Sequence, residues 1–374
     1  MEIDYSKRKL LAFPFFIYCK LSYQKLVLAN NFFNKIYIGS AYNHEGNSFY
    51  GVFNLNGNLI NSFKLPLRAH DSLYLPGTNK IVVISRRTGN KIFILNLKSN
   101  KISKIIHAPD YRHFYGHGVY CDKTKFLYVT ENNYKFNDER SGSIAIYDTK
   151  KDFSRIGEFI TYGIGPHEIK IFRDTIIIAN GGVLTHPDFP RIKLNLKDIQ
   201  SNITRVNINN GELKQKLQLN KKYKNLSIRH FDIDRNNNIY AGCQVYNKVE
   251  QASENLVFSC KSNKLKSFSI SESLSKELKN YTGSIKLNID NNEIYASFPR
   301  GNHLISWNIN DHKVKKIIRI NDVCGMSYAK KKKIFLISDG QGNIYSNSLN
   351  HNLSKFYSSK FNFDNHFINF TLSQ

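Results

Sequence analysis

The sequence predicts an all-β fold, a seven-bladed β-propeller closed by pairing of the C-terminal strand with the N-terminal strands. Three observations favour it. Short runs rich in isoleucine, valine, tyrosine and phenylalanine follow one another after residue 30, separated by turn sequences such as Asn-Gly and Asp-Lys. These runs fall into groups of about four, the size of a propeller blade. Helical periodicity is nearly absent, apart from a short candidate helix or turn at residues 271–280.

Six blades align on one template, in which a first strand with a polar or small residue precedes a strongly apolar second strand. We number these blades 1 to 6 in chain order. Their first strands contain R-A-H-D-S-L-Y-L from Arg68, G-H-G-V-Y from Gly116, G-P-H-E-I-K-I from Gly165, I-R-H-F-D-I-D from Ile228, Y-T-G-S-I-K-L from Tyr281 and V-C-G-M-S-Y from Val323.

The seventh blade is assembled from the two ends of the propeller. The chain ends with D-N-H-F-I-N-F from Asp364, a first strand without partners, whereas K-I-Y-I-G-S-A-Y from Lys35 opens three strands that lack a first strand. Joining them closes the ring and hides the sheet edges that would otherwise aggregate. Residues 30–374 are therefore expected to form a single propeller domain.

The first 29 residues resemble an export signal. Lys7, Arg8 and Lys9 precede a short apolar stretch, and Ala29 offers a cleavage site before residue 30. The order S-K-R-K-L-L resembles a twin-arginine signal with lysine in place of the first arginine. An ordinary secretory signal or an uncleaved anchor is the alternative. The protein is expected to be periplasmic, or cytoplasmic if the signal does not function, and no later segment is apolar enough for a stable membrane span.

Composition excludes some function classes. The formal net charge is +25, but the lysines are dispersed among asparagines and no nucleic-acid-binding motif is present, so we expect no nucleic-acid partner. None of the five cysteines forms a C-x-x-C pair, which argues against a zinc finger. Cys243 and Cys260 could form a disulfide in an oxidising compartment.

The first strand of each blade lines the central channel, so equivalent positions in these strands form a ring around the axis. Six of the seven positions hold a histidine or a cysteine, and the seventh, near Ser284, is small or polar. The six are His70, His117, His167, His230, Cys324 and His366. Imidazole and thiolate are good ligands for copper, zinc and iron, so the ring predicts a transition-metal site, which we expect to hold copper or iron.

Several neighbouring residues are candidates for supporting roles. Asp71 and Glu168 directly follow ring histidines and could fix the orientation of imidazoles, and Arg229 could bind an anion at the channel mouth. His186 lies in a T-H-P-D loop that forms either a lid over the channel or a packed connection. In some propellers a Gly-His pair such as the one at His117 is purely architectural and binds no ligand.

Y-G-H-G-V-Y, N-G-G-V-L-T-H-P-D followed by K-L-N-L, D-V-C-G and the final D-N-H-F occur in this order along the chain. The sequence thereby resembles an uncharacterised bacterial family of exported, seven-bladed propeller-like proteins. Such proteins commonly carry twin-arginine signals and are often encoded beside imelysin-like iron-uptake proteins. The resemblance implies a link to iron or copper handling, with other envelope iron-uptake proteins as partners, and brings no established reaction.

Three functions are compatible with these observations. The first is a periplasmic metal-binding propeller in iron or copper acquisition or handling. The second is an enzyme, an oxidoreductase or lyase, in which His167 or His230 acts as general base and Arg229 holds an anion. The third is a scaffold that binds a protein partner through the rim of the propeller.

Overall fold

A computed structural model describes residues 36–372, apart from 191, 220–222, 224, 247–255, 263, 269 and 348–352. These residues form seven four-stranded antiparallel sheets arranged as the blades of a propeller. The predicted fold class is confirmed, including closure of the ring by the two ends. The predicted export signal, residues 1–29, lies outside the described residues.

Each of blades 1 to 6 is a run of four consecutive strands with the first at the channel. Blades 1 to 3 consist of β4 (Ala69–Leu75), β5 (Lys80–Ser85), β6 (Lys91–Asn96) and β7 (Lys101–His107); β8 (Arg112–Cys121), β9 (Phe126–Asn133), β10 (Gly142–Asp148) and β11 (Ser154–Ile160); and β12 (Pro166–Phe172), β13 (Thr175–Asn180), β14 (Asn202–Asn207) and β15 (Leu213–Gln218). Blades 4 to 6 consist of β16 (Leu226–Ile233), β17 (Ile239–Val245), β18 (Val257–Lys261) and β19 (Lys264–Ser267); β20 (Ser284–Asn288), β21 (Glu293–Phe298), β22 (His303–Asn308) and β23 (Val314–Arg319); and β24 (Val323–Ala329), β25 (Ile334–Asp339), β26 (Asn343–Asn347) and β27 (Leu353–Ser358).

Blade 7 joins the C-terminal strand to the N-terminal strands. Its order is β28 (Asn362–Thr371), β1 (Ile36–His44), β2 (Asn47–Asn54) and β3 (Leu59–Leu65). Aromatic contacts hold the closing strand to both neighbours: the Phe370 ring stacks on Tyr37 of the same blade at 5.8 Å between centroids and on Tyr74 of blade 1 at 4.7 Å. The last strand therefore belongs to the core of the ring.

The burial pattern explains why alternation in the sequence is only partial. Middle strands such as β13 are buried on both faces, because each blade packs between two others. Outer strands such as β11 alternate regularly between exposed and half-buried residues, since only one face touches a neighbouring blade. The apolar runs therefore mark the middle of each blade.

The predicted short helix is present as α1 (Glu272–Glu277), between blades 4 and 5. The Ser271 hydroxyl accepts a hydrogen bond from the backbone N–H of Leu274 and caps the helix. Among the described residues, no helix has the length and apolar character needed to cross a membrane.

The disulfide considered between Cys243 and Cys260 is wrong. Neither cysteine forms a disulfide, and both are buried. Although β17 and β18 are adjacent, their register pairs Cys260 with Ile239, so the two cysteines stand four positions apart along the strands. Both side chains pack in the apolar core of blade 4 instead.

Candidate metal centre

In six of the seven blades the innermost strand bulges where the predicted ring residue lies. Regular pairing is interrupted between Ala69 and Ser72, Phe114 and Gly118, Pro166 and Ile169, Ile228 and His230, Val323 and Met326, and Phe363 and Phe367. The exception is β20, which pairs regularly from Ser284 onward and offers no histidine or cysteine. Bulges turn side chains away from the normal alternation, and every blade with a histidine or cysteine at the predicted position is bulged.

The bulges bring five imidazoles from five blades into one buried cluster. The ring centroid of His117 lies 4.9 Å from that of His70, 4.5 Å from His167, 5.5 Å from His230 and 4.9 Å from His366. His117 is therefore the centre of the cluster, and the predicted convergence of these histidines is what the structure shows.

Gly116, directly before His117, serves this central position. In the pairing of β8 with β9, residues 115–117 all lie opposite the single residue Thr130, so β8 bulges towards the channel. Gly116 has a φ of +100°, and a Cβ at this position would lie 2.6 Å from Cδ2 of His70. Only glycine combines this backbone conformation with such a close approach to an imidazole.

Carboxylates orient two of the imidazoles. Nδ1 of His117 lies 3.1 Å from Oδ2 of Asp71, and Nδ1 of His230 lies 3.0 Å from Oε2 of Glu168. Each carboxylate thus serves the histidine of the next blade, and not the histidine that precedes it in the sequence. With Nδ1–H donated to a carboxylate, Nε2 of each ring is left with its lone pair, the arrangement found in many metal sites.

The cluster is rich in buried nitrogens without hydrogen-bond partners among the described residues. They are Nε2 of His117, Nδ1 of His167 and Nε2 of His366, whereas Nδ1 of His70 lies 3.6 Å from the Asp364 carboxylate. A buried polar atom without a partner ordinarily costs free energy, so three of them in one place point to a bound ion or ordered water.

Burial keeps four of the imidazoles, those of His70, His167, His230 and His366, neutral at physiological pH. Burial lowers the pKa of His70 and His366 to about 3 and that of His230 to about 4. Burial, helped by the charge of Arg229, also lowers the pKa of His167 well below its usual value. Neutral imidazole is the form that coordinates a metal ion, so protons compete little for these nitrogens at pH 7.

Two overlapping groups of three histidines could each hold one metal ion. The first is His70, His117 and His167; the second is His117, His230 and His366. In both groups the candidate ligand nitrogens lie within 4.8 Å of one another. Since His117 belongs to both, a single ion would occupy one group or sit between them.

Acidic and basic side chains form a second layer along the channel. Nζ of Lys170 lies 3.1 Å from Oε1 of Glu168 and 3.7 Å from Oδ1 of Asp232, whose other oxygen is 3.7 Å from Nζ of Lys286. Although burial opposes it, the charge of Lys170 and the hydrogen bond from His230 keep the pKa of Glu168 well below its usual range. Glu168 therefore remains a carboxylate that holds His230.

Two of the predicted ligand or cofactor residues lie apart from the imidazoles. Cys324 is buried on its bulge but shares neither histidine group, and burial raises the pKa of its thiol well above the usual value. His186 lies in the loop between β13 and β14, where its ring contacts Tyr134 at 4.8 Å and Phe189 at 6.0 Å. Arg229, the predicted anion-binding residue, lines a pocket at the channel mouth.

The sequence template missed Asp364, which also belongs to the cluster. Oδ2 of Asp364 lies 2.6 Å from Nε of Arg68, and its Oδ1 lies 3.6 Å from Nδ1 of His70. The signal was present in D-N-H-F, an acidic residue two positions before His366, but it does not match the acidic residue directly after His70 and His167. The double bulge of β28 brings Asp364 to the imidazoles.

Residues 63–370 match a protein family described as "Protein of unknown function (DUF1513)". None of the curated proteins matches the chain. Among solved structures, the chain resembles hydrazine synthase of Kuenenia stuttgartiensis, with a TM-score of 0.60 and 11% sequence identity over 84% of this chain and 92% of that one. At such low identity this likeness concerns the fold alone.

Proposed function

The chain belongs to DUF1513, a family of proteins of unknown function, and we propose that it binds a transition-metal ion, copper or iron, through the imidazole cluster in its channel. The observation that carries the proposal is the set of His117, His230 and His366. Two of these rings are oriented by carboxylates, and Nε2 of His117 and of His366 is buried without a hydrogen-bond partner among the described residues.

The donor set suits divalent ions of intermediate hardness. Neutral imidazole binds copper(II), iron(II) and zinc, whereas calcium and magnesium prefer oxygen ligands and copper(I) prefers sulfur. Of the three, we propose copper or iron because the family resemblance implies iron or copper handling. For a given nitrogen site the divalent series predicts tighter binding of copper than of iron, so supply in the cell would decide which ion is carried. Asp71 and Glu168 would compensate part of the charge of the bound ion.

We place this function in the periplasm, as a binding, delivery or redox accessory protein in metal acquisition. The support for the location is the basic and apolar start of the sequence. Three imidazoles do not fill the coordination sphere of either metal, which leaves positions open for a ligand or an exchanging partner. Other iron-uptake proteins of the envelope are the partners that we propose.

Titration of metal-free protein with copper(II) and with iron(II) under anaerobic conditions tests the proposal. We expect one tightly bound ion per chain, and a copper(II) electron paramagnetic resonance spectrum with splitting from several nitrogen nuclei. His117→Gln removes the ligand shared by both groups, so it should abolish stoichiometric binding, and His230→Gln should weaken it at least tenfold.

His107→Gln is the matched control, because His107 is exposed at the end of β7, outside the cluster. Circular dichroism and thermal unfolding establish that each variant is folded. The proposal fails if neither metal binds with defined stoichiometry, or if folded His117→Gln and His230→Gln proteins bind as the original does.

A further inference from the structure

A pocket of about 400 Å³ opens at the mouth of the channel. In each blade the start of the first strand and the end of the second lie at the same face, because the two strands are antiparallel. Arg86 and Arg87 directly follow β5, Arg300 follows β21, and Tyr281 shortly precedes β20. Loops from several blades therefore supply the walls of one pocket on the axis.

The charges around this pocket are strongly unbalanced. Five cationic side chains line it, and Asp322 is the one acidic residue among the described residues of its wall. The cations are Arg86, Arg87, Lys193, Arg229 and Arg300. Like charges gathered around one cavity repel each other, so the arrangement costs free energy when nothing negative is bound.

Unused donors point to a ligand. Nη1 of Arg87 and Nε of Arg229 are buried and have no hydrogen-bond partner among the described residues. Burial raises the pKa of Tyr246, yet Arg229, Arg87 and Lys193 outweigh it and lower that pKa overall, which reports the positive field in the pocket. Cations that are merely dispersed over the surface of a basic protein keep their hydrogen-bond donors in water. Buried guanidinium donors without a partner therefore indicate a binding site and not only a general excess of positive charge.

We infer that this pocket binds a small oxyanion with at least two negative charges, either a polycarboxylate or a phosphate. Guanidinium groups bind both kinds of anion through bidentate hydrogen bonds, and several of them around one cavity favour an anion with more than one negative charge. The Tyr281 ring adds an aromatic surface, which Arg300 covers with its guanidinium carbon 4.7 Å from the ring centroid. The inference does not depend on the proposed function, because it concerns the metal-free protein.

The pocket nevertheless adjoins the imidazole cluster. Arg229 directly precedes His230 in β16, and Asn365 directly precedes His366 in β28. Asn365 also donates a hydrogen bond from Nδ2 to the hydroxyl of Tyr281, 3.1 Å away. The same two strands thus supply the anion pocket with one side chain and the cluster with the next.

Isothermal titration of metal-free protein with citrate and with inorganic phosphate, at about 0.15 M salt to screen diffuse attraction, tests the inference. We expect saturable binding of one molecule, at least tenfold tighter than binding of acetate. Tighter citrate binding identifies a polycarboxylate site and tighter phosphate binding a phosphate site. Arg87→Gln and Arg229→Gln should each lower the affinity at least tenfold, whereas the exposed Arg235→Gln should not.

Thermal unfolding guards against a variant that simply folds badly. Because a repelling charge is removed, unliganded Arg229→Gln should unfold at a temperature no lower than that of the original protein. The preferred anion should raise the unfolding temperature of the original protein and of Arg235→Gln, but not that of Arg229→Gln. Binding no tighter than that of acetate, or equal binding by folded Arg87→Gln and Arg229→Gln, would overturn the inference.

Discussion

Oδ2 of Asp71 lies 3.1 Å from Nδ1 of His117, although the two residues are 46 positions apart and belong to neighbouring blades. Glu168 and His230 repeat this relationship two blades further on, at 3.0 Å. In each pair the acidic residue follows one histidine in the sequence and orients another in space. The bulges at Asp71 and Glu168 allow a histidine to join the cluster while the acidic residue directly after it contacts the imidazole of the next blade.

Asp71→Asn should weaken metal binding without removing a ligand. An asparagine oxygen still accepts the hydrogen bond from His117, but it no longer makes the imidazole more basic or compensates the charge of the ion. We expect a loss of affinity of about 10- to 100-fold. Competition with a chelator of known affinity measures it. Asp174→Asn, at an exposed ion pair with Lys214, is the control, and an equal affinity of both variants would contradict the assigned role.

Gly116→Ala should damage the cluster and the fold together. The added methyl group would lie 2.6 Å from the His70 ring on a backbone with positive φ, so either the imidazole or the strand has to move. We expect a loss of about 1–3 kcal/mol in the free energy of unfolding, together with weaker metal binding. Unfolding in urea measures the first.

Gly157→Ala is the matched control for this change. A Cβ at Gly157 meets nothing within 4 Å, and the residue lies in the outer strand β11. Its substitution should leave both stability and metal binding unchanged. If Gly116→Ala behaved in the same way, the cluster would not need the close approach between Gly116 and the His70 ring.

Stability of the metal-free protein should fall as the pH is lowered from about 6.5 towards 4. In this range the unfolded chain protonates its histidines, whereas His70, His230 and His366 stay neutral in the native state because their pKa values lie at about 3 to 4. The unfolded state then binds more protons, and each extra proton costs the fold about 1.4 kcal/mol per pH unit.

Urea unfolding at a series of pH values measures this slope. His366→Gln removes one of the imidazoles with a lowered pKa, so its slope should be smaller than that of the original protein, and the exposed His107→Gln should change it less. A stability that stays constant between pH 7 and pH 5 would show that these imidazoles are not held neutral by burial.

The sequence allowed the fold and the histidine cluster to be predicted, because a propeller repeats one environment in every blade. His70 and His366 are almost three hundred residues apart, yet each occupies the same position in the first strand of its blade, and their ring centroids lie 4.6 Å apart. The template failed where the local backbone conformation determines which side chains reach the cluster. Cys324 occupies an equivalent position and bulge but not the cluster, and Asp364 reaches it only through a double bulge.

The anion pocket was largely beyond sequence reasoning for a different reason. Arg229 could be predicted from the sequence because it belongs to the first strand of a blade. Arg87 and Lys193 come from loops of unequal length, which no repeat template aligns, and their charges look ordinary in a chain with 54 lysines and arginines. Their meaning depends on burial in a common cavity, which only the assembled ring creates.

Phe370→Ala should destabilise the whole ring and not only its last strand. The ring of Phe370 is buried between Tyr37 of blade 7 and Tyr74 of blade 1, so its removal leaves a cavity at the closure. We expect a loss of about 3–5 kcal/mol, as for other buried phenylalanines, and a single cooperative transition in urea. Phe189→Ala, at a side chain that is half exposed, should cost much less. Because every blade packs on its neighbours, proteolysis of Phe370→Ala should accelerate throughout the chain; cleavage confined to the two ends would show that the remaining blades stay folded without a closed ring.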